Sequence, residues 1–203
     1  MTMKDISSIR IEGTLVGTVA RSAGGTPYFK DAGVMFEREG KAVTVPVRGF
    51  GDVVEGAESL INQKVLFQGR YALEAGREAN AGKVFANIAP DSILPGTAKE
   101  GSRFEQTGYI SDIEEKGKIK VVKLLVSDSV WNKDTKTRDV LEKDVQIAFF
   151  GDSKDQLDNF VRGQQVLVGG YVKTSGEKNY LDFVGETVDL LGAAEEATDL
   201  GDL

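Results

Sequence analysis

The chain contains an internal repeat, and this repeat limits the folds open to it more than any other feature. The triplet Phe-Gly-Asp at 50–52 recurs at 150–152, each time after a β-rich run and before a short segment of helical character. A run of the form V-x-x-x-G follows in both places and ends at Gly69 and Gly170, so the offset stays at 100 or 101 residues. Self-similarity of this kind predicts two units of one architecture.

Both units are built mainly from short β-rich runs. Val43, Val45 and Val47 alternate with other residues, which is typical of a half-buried strand. The predicted strands cover 9–17, 43–47, 65–71, 118–126, 144–150, 166–173 and 180–184, and the predicted helical segments cover 51–61 and 152–161. Each unit is therefore predicted to have three strands, a short helix and two further strands. That order is the order of an OB-fold, a small Greek-key barrel.

The predicted fold class is all-β with short helices: two tandem OB-fold barrels and a disordered acidic C-terminal tail. A length of 203 residues is sufficient for two such barrels. The predicted boundaries are 1–95 for the first barrel, 96–102 for a linker within the segment 94–102, 103–191 for the second barrel and 192–203 for the tail.

The composition excludes several classes of function. The chain has no cysteine and no histidine, which excludes disulfides, histidine-dependent triads and the common zinc sites. The carboxylate pairs 114–115 and 195–196 have no converging base, so we expect no catalytic residue, no cofactor and no metal. No run approaches about 20 apolar residues, and residues 1–10 lack the basic segment followed by an apolar segment that is typical of a signal peptide. We therefore expect no membrane association and a cytoplasmic protein (the host cytoplasm if the source is viral).

The single tryptophan lies in a basic segment. Trp131 is followed by Lys133, Lys136 and Arg138. An aromatic ring among basic residues suits a single-stranded nucleic acid, which exposes both base faces and phosphates. The alternative is a core tryptophan beside a solvated charged loop. In the first unit we expect Tyr28 to occupy the corresponding region.

The alternation of the repeated strand places one phenylalanine of each unit away from the core. If Val145, Ile147 and Phe149 face inward, then Phe150 faces outward, and the same argument turns Arg48 and Phe50 outward in the first unit. Base stacking is one reason for an outward phenylalanine, and cover by a helix or hairpin is the other.

Two further groups of residues are candidates for binding. Arg70 and Tyr171 hold equivalent positions after the V-x-x-x-G run. The lysines at 116, 118 and 120 have period two, which predicts one strand face that either protects a sheet edge or contacts phosphates.

The second unit resembles the bacterial-type single-stranded DNA-binding protein family over residues 121–174. Four segments carry the resemblance in the family's order: V-S-D-S-V-W-N-K-D-T-K-T-R at 126–138, A-F-F-G-D at 148–152, F-V-R-G-Q-Q-V at 160–166 and G-Y-V-K-T at 170–174. The resemblance implies that Trp131 and Phe150 stack on bases and that Lys173 contacts the DNA backbone.

The chain also departs from that family. Asp144 stands where the family has a second stacking tryptophan, there is no long Gly/Gln/Pro-rich linker, and the acidic end closes on Leu203 rather than on Pro-Phe. These features fit a phage- or plasmid-type version with two fused barrels better than a housekeeping homologue.

The acidic tail is a candidate partner-binding segment. The last eleven residues carry four acids and no basic residue, within a chain of net charge −7. The predicted contacts are Glu195, Glu196, Asp199, Leu200, Asp202 and Leu203.

The expected function is sequence-tolerant binding of single-stranded DNA in replication or recombination by a monomer or homodimer, with the tail recruiting partner proteins. The alternative is a β-barrel interaction or structural protein, such as a virion or scaffold component, with no nucleic-acid role.

Overall fold

The computed structural model of the protein describes residues 6–76, 78–97, 99–132, 135–175 and 180–192. The strands are β1 (Ser7–Arg21), β2 (Pro27–Arg38), β3 (Lys41–Pro46), β4 (Lys64–Ala75), β5 (Val84–Pro95), β6 (Gly101–Lys116), β7 (Ile119–Asn132), β8 (Thr137–Phe150), β9 (Gln165–Ser175) and β10 (Tyr180–Gly192). Helix α1 spans Asp52–Ala57, and 3₁₀ segments span Glu58–Leu60, Glu78–Asn80 and Gly151–Asn159. Within these ranges, no helix has the length and apolar character needed to span a membrane.

The same order of elements occurs before and after the segment between β5 and β6. In the first half the strands pair in the order β3-β2-β1-β4-β5, and in the second half in the order β8-β7-β6-β9-β10. A short parallel pairing of β10 with β8 closes the second set into a barrel. In the first half, the Arg48 N–H donates to the Ile88 carbonyl at 2.8 Å and joins the end of β3 to β5. Strand β6 begins at Gly101, inside the predicted linker.

The two halves share their strand register as well as their strand order. Gly13 of β1 lies opposite Val65 of β4, and Gly108 of β6 lies opposite Val166 of β9. The sequence repeat therefore corresponds to a repeated pattern of backbone hydrogen bonds between the strands. That the halves are separate domains with the boundaries given above stays a prediction.

A continuous sheet joins the halves. Strands β1 and β6 pair antiparallel from Ser7 opposite Gln106 to Glu12 opposite Gly101. Ile9 and Phe104, which occupy equivalent registers in the two halves, lie opposite each other in this pairing. The halves are thus related by an approximate two-fold axis through that pair.

The predicted inward faces are confirmed. Val43, Val45 and Val47 are buried in the first half, and Val145, Ile147 and Phe149 are buried in the second. Burial of side chains this size contributes about 1.5–3 kcal/mol each, so the alternation of these two strands fixes which residues remain outside.

Gly170 marks a point where two backbones approach closely. A Cβ atom at this position would overlap the carbonyl oxygen of Val184, and one at Gly69 would overlap the carbonyl oxygen of Ala89. The repeated glycine of the V-x-x-x-G run is therefore explained by packing of β9 against β10 and of β4 against β5.

Replacing this glycine should destabilise the protein. We expect Gly170→Ala to lower the free energy of unfolding by about 1–3 kcal/mol, because backbone atoms must shift to accept the methyl group. Gly24→Ala is the matched control, since its Cβ would contact only the Ser22 Oγ at 4.0 Å. Urea denaturation followed by circular dichroism measures both. Equal stability of the two variants would contradict this account.

Candidate nucleic-acid interface

The β7–β8 hairpin provides one long, uninterrupted face. Its ladder runs from Ile119 opposite Phe150 to Asn132 opposite Thr137 without a register shift. Because side chains alternate along a strand, Trp131 and Phe150 project from the same face, at opposite ends of the hairpin. Their separation along the strand direction is roughly 40 Å at about 3.3 Å per residue. The two predicted aromatic residues therefore belong to one surface but not to one cluster.

Both aromatic rings are accessible. Trp131 is 56% exposed and Phe150 is 41% exposed, while the neighbouring Phe149 is fully buried. The prediction that Phe150 faces away from the core is confirmed, and the alternative of a core tryptophan is wrong.

A groove opens beside Phe150. The Lys173 Nζ lies 4.9 Å above the centre of the Phe150 ring, in the range of a cation–π contact. The groove has a volume of about 590 Å³, and Gln146, Ala148 and Asp182 line it together with these two residues. It combines an aromatic platform with an adjacent cation, the groups used for base stacking and for phosphate contact in single-strand binding.

The first half contributes Tyr71 to the wall of this groove. The Tyr71 ring meets Phe183 edge-on, with ring centres 5.7 Å apart. Burial raises the pKa of Tyr71 to about 12, so the phenol stays neutral at ordinary pH. Sequence reasoning missed this residue, because the equivalent position of the second half is a buried valine, Val172.

The Trp131 end of the hairpin is partly described. Arg138 lies opposite Trp131 in the ladder and donates a long hydrogen bond of 3.4 Å to the Ser129 carbonyl. Lys136 lies in the turn with a positive φ of 56° and is exposed. Val140, which sequence reasoning missed, adds an apolar side chain that is 68% exposed. Lys133 lies outside the described residues.

In the first half a smaller aromatic cluster surrounds Phe50. The rings of Tyr28 and Phe50 are 6.3 Å apart, and the Arg48 guanidinium lies 5.6 Å from the Phe50 ring. Arg48 also forms a 3.0 Å ion pair with Glu74. The expectation that Tyr28 corresponds to Trp131 is wrong, because Tyr28 bridges to Phe50 at the end of the sheet remote from the β2–β3 turn.

Arg70 and Tyr171 have different surroundings despite their equivalent positions. Arg70 is exposed and forms an ion pair with Asp91 on β5. Tyr171 is half-buried, and the guanidinium of Arg38 from β2 lies 3.3 Å above its ring. Arg38 is a further residue that sequence reasoning missed, since no local pattern connects β2 with β9.

The predicted lysine face is not formed. Lys118 lies in the turn between β6 and β7, so the three lysines do not share a strand. Lys116 forms a 2.6 Å ion pair with Glu114 and is the main cause that lowers the pKa of that carboxyl to about 2. Lys120 forms an ion pair with Asp158. Lys116 and Lys120 are thus engaged with protein carboxylates.

All the predicted tail contacts lie outside the described residues: Glu195, Glu196, Asp199, Leu200, Asp202 and Leu203.

Comparisons with known proteins match at the level of structure. No family model matches the chain, and no curated protein matches it. It is similar to the crystal structure of the wild-type single-stranded DNA-binding protein from Thermus aquaticus, with 13% identity and a TM-score of 0.67 over 95% of this chain and 96% of that chain. A deletion mutant of that protein gives 16% identity and a TM-score of 0.62 over 97% and 99% of the two chains. The likeness confirms the predicted fold class, an all-β OB-fold protein with short helices.

The exposure of Trp131 gives a stability test. We expect Trp131→Ala to change the free energy of unfolding by no more than about 0.5 kcal/mol, as for most surface substitutions. Phe149→Ala should cost about 3–5 kcal/mol, because it empties a fully buried site. Denaturation followed by far-ultraviolet circular dichroism compares the two. A similar cost for both variants would contradict the placement of Trp131.

Proposed function

We propose that the protein binds single-stranded DNA, without catalysis and with tolerance of base sequence. The observation that carries this proposal is the β7–β8 face, which exposes Trp131 and Phe150 on one side with Lys173 beside the second ring. Base–aromatic stacking contributes roughly 1–3 kcal/mol per base and accepts every base, since each has a π-face. The similarity to a single-stranded DNA-binding protein from Thermus aquaticus supports the proposal.

The charges of the described residues favour the second half as the main contact. Lys173 forms no ion pair among the described residues, whereas Arg48 and Arg70 of the first half pair with carboxylates. Exposed ion pairs contribute only about 0–1 kcal/mol, so phosphates can compete for these two arginines. We propose that Tyr28, Phe50, Arg48 and Arg70 form a secondary contact.

The biological setting is part of the proposal. A sequence-tolerant binder protects exposed single strands in DNA replication and recombination, in the cytoplasm and as a monomer or homodimer. The tail then recruits replication or recombination proteins through its acids and its two leucines. Its composition suits such a role, because residues 193–203 combine four acids with two leucines and carry no basic residue.

A second candidate function has one observation in its favour. Arg48 and Arg70 of the first half are already matched by carboxylates, as expected for a β-barrel interaction or structural protein with no nucleic-acid role. The exposed aromatic residues of β7–β8 are the argument against it.

Titration with defined nucleic acids tests the proposal. We expect oligo-dT to change the fluorescence of Trp131, with affinity that falls as salt rises and exceeds that for duplex DNA. Titration with oligo-U in the same assay compares the affinity for RNA with the affinity for DNA. Trp131→Ala and Phe150→Ala should each cost roughly 1–3 kcal/mol of binding, measured by anisotropy of labelled oligo-dT.

Val161→Ala is the control. Val161 is 57% exposed, close to the value for Trp131, but it lies between the 3₁₀ segment Gly151–Asn159 and β9, away from the β7–β8 face and from the groove lining. Its replacement should leave binding unchanged. Equal affinity for duplex and single strands, or equal losses in all three variants, would refute the proposal.

Deletion of the tail separates its role from that of the barrels. Removing residues 193–203 takes away four acids and no basic residue, so the net charge changes from −7 to −3. We expect DNA binding to be unchanged or somewhat tighter, most visibly at low salt, because both the tail and DNA are anionic. Pull-down of replication proteins should be lost. Weaker DNA binding after deletion would contradict this role.

A further inference from the structure

The contact between Arg38 and Tyr171 joins the halves of the molecule at the surface that carries the groove. Strand β3 approaches β9, and Arg38 at the end of β2 places its guanidinium 3.3 Å above the Tyr171 ring. Tyr171 is two residues from Lys173 on β9, so both side chains project from the same face of that strand. Lys173 in turn lies above the Phe150 ring.

These contacts form an alternating row of aromatic rings and cations. The row runs from Phe150 on β8 through Lys173 and Tyr171 on β9 to Arg38 on β2. Lys41 lies opposite Arg38 in the β2–β3 ladder and brings an exposed cation to the same end of the row. The row therefore begins in the groove of the second half and ends on the first half.

The guanidinium of Arg38 is held in place but not neutralised. Within the part of the chain that the structure describes, Arg38 makes no ion pair and no side-chain hydrogen bond, unlike Arg48 and Arg70. Stacking on Tyr171 uses the face of the guanidinium and leaves its five N–H donors available at the edge. A planar cation with its donors free is suited to bind a phosphate with two parallel hydrogen bonds.

We propose that Arg38 is a phosphate-binding residue next to the groove of the second half, so that the DNA site is built from both halves of the chain. Tyr171 acts as the support that orients Arg38 rather than as a free stacking platform. This inference rests on the proposed binding of single-stranded DNA and adds a residue and a path to it. A DNA strand that leaves the Phe150 groove passes over β9 and meets Arg38 next.

Salt-dependent binding of oligo-dT to the full chain tests the role of Arg38. Each phosphate contact in a single strand contributes about 0.7 to the slope of log affinity against log salt. We expect Arg38→Ala to reduce the slope by about 0.7 and to weaken binding about five- to tenfold near 50 mM salt. Arg38→Gln retains a planar group that can cover Tyr171 without the charge, and it should show the same loss even if Arg38→Ala folds poorly.

Arg21→Ala is the matched control, since it removes the same charge from an exposed residue that pairs with Glu55 and Glu58. Its slope should equal that of the unmodified protein.

The length of the oligonucleotide gives a second readout. The effect of Arg38 should be small with about 10 nucleotides, within the site size of one OB-fold, and full with about 30.

The outcomes separate the inference from the proposed function. If the unmodified protein binds oligo-dT and both Arg38 variants keep its slope, the inference is overturned and the function stands. A lower melting temperature with an unchanged slope would likewise make Arg38 a packing residue only. If the unmodified protein does not bind oligo-dT, both proposals fail.

Discussion

The antiparallel pairing of β1 with β6 is the contact on which the rest of the molecule depends. It places Ile9 opposite Phe104 at the centre of a two-fold relation and so fixes how each half faces the other. As a result, the β2–β3 hairpin reaches β9 of the second half, and the β7–β8 hairpin reaches β4 of the first. At the second of these contacts the Leu73 N–H donates to Asp128 Oδ2 at 3.2 Å. The groove beside Phe150 is lined from both halves because of this arrangement.

The two halves share an architecture but present different surfaces. Strands β7 and β8 have 14 residues each, whereas β3 has 6, so only the second half carries a long hairpin that extends its aromatic face to Trp131. The cations differ too, because Arg48 is paired with Glu74 while Lys173 is not paired among the described residues. Repetition of the fold has thus produced one extended aromatic face near Lys173 and one shorter face on which Arg48 and Arg70 are matched by carboxylates.

The sequence predicted those features that depend on local periodicity. The outward turn of Phe50 and Phe150 follows from alternation against a valine-rich core, and the fold class follows from the order of the repeated elements. Features that depend on contacts between distant segments were not predicted. The sequence places Tyr28 at the wrong end of β2, because the lengths of the hairpins decide which residues correspond in the two halves, and local periodicity does not give those lengths. Arg38 was missed, because its role exists only once β2 is brought to β9.

Photo-crosslinking of oligo-dT to the full chain, followed by peptide mass spectrometry, tests most directly whether the β7–β8 face and the adjoining strand β9 form the DNA site. The account predicts adducts at both ends of the hairpin face, on Trp131 and Phe150, together with adducts near Tyr171 on β9. Adducts confined to the first half, in a complex that still forms with normal affinity, would contradict it.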